Sequence, residues 1–139
     1  MKFRYQKIPL RDHDPRKPFV PRPFIPVHLH NKQKSTPAPF YALLDSGADQ
    51  VLLPAELALE VGIEDIGRGR GEAIVGVAGQ QANVYSFDLE LQVVGDSRRL
   101  AVPVGFSEVV YIPLLGRTFF AHFRSIVFEE EKEEVELGI

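Results

Sequence analysis

Apolar positions along this chain come in short runs with two periods. Ile25-Pro26-Val27-His28-Leu29-His30 alternates apolar and polar, the pattern of a strand with one buried face. Phe40-Tyr41-Ala42-Leu43-Leu44 is continuously apolar, which fits a strand buried on both faces, and it ends at Asp45. Glu72 to Val77 and Ala82 to Leu91 read as two arms of a hairpin, with a tip from Gly76 to Gln81 and an apolar face of Val84, Phe87, Leu89 and Leu91. Gly95-Asp96-Ser97 reads as a turn, followed by a returning strand from Leu100 to Val104. Lys2 to Leu10, Leu114-Leu115 and Ser125 to Phe128 add shorter strands. Two stretches have helical character. Pro54 to Gly62 opens with a proline suited to the first helical position and closes on a glycine, and Gly116 to Phe123 is short. Arg11 to Pro26 is proline-rich and reads as an extended connector, and Asn31 to Pro39 as a loop or hairpin connection. Many short strands with regular turns and little helix predict an all-β fold, a small closed β-barrel or sandwich with one or two short helices.

Composition narrows this picture. A chain of 139 residues with 45% hydrophobic content is read as one domain with a real core. There is no cysteine, which excludes disulfides, thiolate catalysis and cysteine metal sites. The start, Met1-Lys2-Phe3-Arg4-Tyr5-Gln6-Lys7, lacks the apolar segment of a secretion signal, and no apolar run approaches the ~20 residues that span a membrane. A soluble, cytoplasmic protein with no membrane partner is the expectation. The net charge of −3 argues against nucleic acid as the main partner.

The charge is uneven. Residues 1–36 hold nine Lys/Arg against two Asp, and residues 129–139 hold six Glu against one Lys. The two ends are therefore either solvated tails or strands that pair with each other, within or between subunits.

Candidate chemistry centres on Asp45-Ser46-Gly47-Ala48-Asp49. A carboxylate where a buried strand breaks into a turn needs a reason, because burying a lone charge is costly. Ser46 supplies a hydroxyl for a close interface. Gly47 lets another backbone or a substrate approach. Asp-Ser-Gly alone is also ordinary turn chemistry.

Two further segments follow in order: the glycine-punctuated Ile74-Val75-Gly76-Val77-Ala78-Gly79, and Ile112-Pro113-Leu114-Leu115-Gly116-Arg117. Taken together, the three segments resemble the retropepsin-like aspartic proteases over roughly residues 23–128. The first looks like the catalytic turn, the second like the flap, and the third like the strand-to-helix corner beneath the catalytic loop. The resemblance implies a compact barrel with one short C-terminal helix, flanked by an N-terminal strand and proline-rich extension over 1–22 and an acidic strand or tail over 129–139.

It also implies an activity. The family hydrolyses peptide bonds with water held between two carboxylates that share a proton. This chain has one Asp-Ser-Gly, since Asp96-Ser97 is followed by Arg98. Asp45 would therefore meet Asp45 of a second subunit, and the active species would be a homodimer. Asp45, Ser46 and Gly47 would form the catalytic turn. Ala48, Asp49, Gln50 and Leu52 would line one side of the peptide-binding cleft. Tyr111, Ile112 and Leu114 would line the other, with Gly76, Val77 and Ala78 over the substrate. Asp49 would pair with Arg117. No metal or other cofactor is implied. The departures are Ser46 where many members have threonine, and Val75 and Ala78 where glycine often stands.

The competing reading is a non-catalytic peptide-binding or dimerisation module on the same fold. Weaker motifs change little. His28 and His30 face one side of a strand but lack a third metal ligand. Gly67-Arg68-Gly69-Arg70-Gly71 has no P-loop lysine after it and reads as the flexible base of the flap.

Overall fold

The computed structural model describes residues 1–9, 16, 18–75 and 79–139. The chain opens with β1 (Lys2–Arg4) and β2 (Gln6–Pro9), and returns through β3 (Phe19–Arg22). Then come β4 (Phe24–Asn31), β5 (Lys34–Ser35), β6 (Phe40–Leu44) and β7 (Val51–Pro54), which runs into helix α1 (Ala55–Glu60). A 3₁₀ turn (Ile66–Arg68) precedes β8 (Arg70–Val75), β9 (Gln81–Val93) and β10 (Leu100–Ser107). β11 (Leu114–Leu115), α2 (Arg117–Phe120), β12 (Ser125–Glu129) and β13 (Glu134–Gly138) complete the chain.

The largest sheet runs β5-β4-β6-β11-β7-β10-β9-β8, and a further pairing of β4 with β9 closes six of these strands into a barrel. β4 makes the closure possible by changing partner along its length. Phe24 to Val27 pair with β6, and Val27 to His30 pair with β9. The alternation seen in the sequence is the burial pattern of this strand, with Ile25, Val27 and Leu29 fully inside. Pro26 is tolerated within it. Its carbonyl accepts from Val94 at 3.0 Å, so its missing N–H faces β9 where that ladder ends.

The core fills the barrel with Ile25, Leu29, Leu53, Leu91, Val104 and Phe106, and extends to Phe119 below. It also takes in both chain ends. Tyr5, Val135 and Leu137 belong to the same cluster, so the segments on either side of residues 23–128 pack with the barrel.

β1 pairs antiparallel with β13, setting Lys2 opposite Glu136, Phe3 opposite Val135 and Arg4 opposite Glu134. The basic and acidic ends thus lie side by side within one chain, with a Lys2–Glu136 ion pair at 3.6 Å. The Tyr5 hydroxyl donates to Glu130 at 2.7 Å. Loss of water, reinforced by that carboxylate, pushes the Tyr5 phenol up to about 12.

Local differences from the sequence reading have clear causes. Pro54 is the last residue of β7 and caps α1 in extended conformation, so the helix begins at Ala55. The connector from Arg11 onward contains β3, which pairs with β2 in a separate two-stranded hairpin. Residues 67–71, read as flexible, begin in a 3₁₀ turn capped by Asp65, whose Oδ1 accepts from the Gly67 N–H at 2.9 Å. α2 spans only Arg117–Phe120, with the tilted rings of Phe119 and Phe123 5.1 Å apart across its end. Among the described residues no helix is long and apolar enough to cross a membrane.

Candidate active site

β6 delivers Asp45 to the end of the barrel. Its neighbours are β4 on one side and β11 on the other, the latter parallel, with Leu115 beside Leu44. The ladder continues one step past the strand, where the Asp45 N–H donates to the Leu115 carbonyl at 3.0 Å. The chain then turns. The Ala48 N–H donates to the Asp45 carbonyl at 3.2 Å, and the Gly47 N–H donates to Asp45 Oδ1 at 2.9 Å. Asp45 is half-buried, while Ser46 and Gly47 are exposed. One carboxylate oxygen is thus held by backbone, and no cation pairs with Asp45 among the described residues.

The corner after β11 supports the turn from below. The Arg117 N–H donates to the Ala48 carbonyl at 2.8 Å, and the Thr118 N–H to the Asp49 carbonyl at 3.0 Å. Gly116 is needed for this approach. A Cβ there would collide with the backbone oxygens of Gln50 and Ala48, the latter at 2.5 Å.

The arms of the β8–β9 hairpin lie on the opposite side. β8 and β9 pair from Arg70–Ser86 to Val75–Gln81. The tip residues Gly76, Val77 and Ala78 lie outside the described residues. Gln50 Nε2 donates to Glu72 Oε1 at 2.7 Å, tying the Asp45 turn to β8. In the sequence pattern Glu72 stands out only as the first residue of a hairpin arm. A side chain-to-side chain bond over this separation leaves no periodic signal.

Between the turn and β8 is a cleft of about 360 Å³, lined by Gly47, Ala48, Asp49, Gln50, Leu52, Ile74 and Val75. Ala48, Asp49, Gln50 and Leu52 are therefore brought together, facing Ile74 and Val75 of β8. Leu114 pairs in register with Leu52 and Leu43, so it lies beside this wall. Tyr111 and Ile112 are not part of it. They stand on the loop after β10 at 87% and 45% exposure.

Asp49 and Arg117 lie on adjoining segments, but their side chains form no ion pair in the single chain. The segments are joined through backbone instead. Both side chains are exposed to solvent. His28 and His30 are engaged in hydrogen bonds: His28 Nδ1 with Thr36, His30 Nδ1 with Ser35 Oγ at 2.6 Å, and His30 Nε2 with Gln92 Oε1 at 2.8 Å. Among the described residues no group of three or more side chains could hold a metal ion.

No protein-family model matches the chain, and no curated protein matches it.

Proposed function

We propose that this chain is one half of an aspartic endopeptidase of the retropepsin-like type. The observation that carries the reading is the setting of Asp45. It is a half-buried carboxylate fixed by the backbone of Leu115 and Gly47, and Gly47, whose N–H holds its Oδ1, lines a cleft with Leu52, Ile74 and Val75. A carboxylate held by backbone, next to a partly apolar groove, supports the reading that it acts on a bound peptide.

One carboxylate does not suffice. In the proposed homodimer, Asp45 of each subunit meets the other across a twofold axis. Like charges ~3 Å apart cannot both ionise, so the pair shares a proton, as is established for aspartic-protease dyads. The ionised member takes a proton from water, whose oxygen adds to the scissile carbonyl carbon. The protonated member donates to the carbonyl oxygen. The C–N bond then breaks and the amine leaves with a proton.

Free edges support dimerisation. In the three-stranded sheet β1-β13-β12, β1 and β12 are the outer strands, and β12 exposes Val127 and Phe128. An open edge with apolar side chains invites a second chain. The partly apolar lining of the cleft favours substrates with hydrophobic residues around the scissile bond.

The test is digestion of a peptide library across pH by wild type and by Asp45→Asn. Cleavage should be confined to wild type and fall away at both pH extremes, because one shared proton is required. Cleavage that persists in Asp45→Asn contradicts the assignment. Peptide binding without cleavage by the wild type would mark a binding module on the same fold.

A further inference from the structure

On the face that carries α1, a groove of about 450 Å³ runs between the helix, the 3₁₀ turn and the loop after β10. Its floor is apolar, made by Leu59, Ile63 and Ile66. Leu59 is 64% exposed, although its neighbour Ala58 on the same helix is fully buried. The rim is acidic: Asp65, whose Oδ1 accepts from the Gly67 N–H, is joined there by Glu56, Glu64 and Glu108. None of the three glutamates makes an ion pair among the described residues. Arg68 lines an adjoining groove with Glu64 and Asp65 and is likewise not ion-paired.

The groove does not stop at Glu108. A second depression of about 390 Å³ shares Asp65, Ile66 and Glu108 with it and continues along β9 over Gln81, Ala82, Asn83 and Tyr85. Neither depression shares a residue with the cleft beside Asp45.

We propose that this groove docks a peptide segment in which apolar side chains alternate with Lys or Arg. An apolar floor takes up leucine-like side chains. Unpaired carboxylates on the rim attract cations and repel acidic segments. Lysine and arginine suit both at once, because their stems lie along apolar surface while their charged ends reach the rim. The site makes no use of Asp45 chemistry, so it stands or falls apart from the protease reading.

The test uses the full chain carrying Asp45→Asn, so that no peptide is cut. A fluorescent synthetic peptide of alternating Leu and Lys is titrated by anisotropy, beside a counterpart with Glu in place of Lys. The basic peptide should bind and the acidic one should not. Leu59→Gln should weaken binding about tenfold. Glu56→Gln with Glu108→Gln should weaken it by a similar factor and flatten its salt dependence. These side chains are exposed, so the fold should survive, and the glutamine pair carries the test if Leu59→Gln does not fold. Glu131→Gln with Glu133→Gln changes the net charge equally on the exposed turn before β13, and should leave binding unchanged.

Equal losses in the two glutamine pairs, or no loss with Leu59→Gln, would overturn the proposal. So would self-association of the protein that Leu59→Gln abolishes, since the groove would then belong to a second copy.

Discussion

The amide N–H of Arg117 donates to the carbonyl of Ala48 at 2.8 Å, bolting the first residue of α2 to the turn that carries Asp45. The two residues are far apart in sequence. The contact is possible because β11 lies directly beside β6, so the corner after one strand meets the turn after the other. Gly116 sits at the point of closest approach.

Gly116→Ala should therefore destabilise the protein by about 1–3 kcal/mol, as expected for an atom forced into close-packed backbone. The midpoint of urea unfolding measures it. The same substitution should reduce peptide cleavage, because the Asp45 turn must move to admit the methyl group. Unchanged stability would mean that the corner is looser than described.

The chain ends are held by apolar contact more than by charge. Leu137 is 1% exposed, whereas both side chains of the Lys2–Glu136 pair are about half exposed. Leu137→Ala should cost about 2–5 kcal/mol. Lys2→Gln should cost less than about 1 kcal/mol, because exposed pairs are screened by solvent and salt. Denaturation of the two variants at low and high salt separates these contributions.

Acid sensitivity should concentrate at the turn between β9 and β10. The Arg98 side chain donates to Asp96 at 2.8 Å and holds its carboxyl below the usual carboxylate range, against the opposing effect of burial. A depressed value in the folded state contributes stability above the unfolded value of about 4. That contribution is lost as pH falls through the folded value. Asp96→Asn should lower stability at neutral pH, and its difference from wild type should shrink as pH drops below about 4. Thermal unfolding across pH 2–7 measures this, and a difference that stays constant with pH would refute it.

The strands with strong local patterns were legible in the sequence. β4 alternates, β6 is continuously apolar, and the β8–β9 hairpin is bracketed by glycines, so each announces itself in a short window. The setting of Asp45 was legible for the same reason, since the end of an apolar run fixes where the turn must fall. β7 was not recognised, because Val51 to Pro54 runs on from the Asp45 turn straight into α1 with no turn signal between. β3 was hidden among prolines, yet a strand in a two-stranded hairpin has only one ladder to satisfy, so it tolerates proline better than a central strand does. The Gln50–Glu72 bond and the exposure of Tyr111 and Ile112 depend on how distant segments meet, which periodicity does not encode. The pairing of the chain ends was suggested by their opposite charges, but the buried Val135 and Leu137 are what seat β13.

The central claim is that two Asp45 carboxylates, one from each subunit, form a single active site. It is tested most directly by adding purified Asp45→Asn protein in increasing amounts to a fixed concentration of wild type, allowing subunits to exchange, and measuring the rate of peptide cleavage. Mixed dimers would carry only one working carboxylate. The rate should fall towards zero as the variant comes into excess. A rate that stays proportional to the wild-type protein alone, whatever the excess of variant, would contradict it.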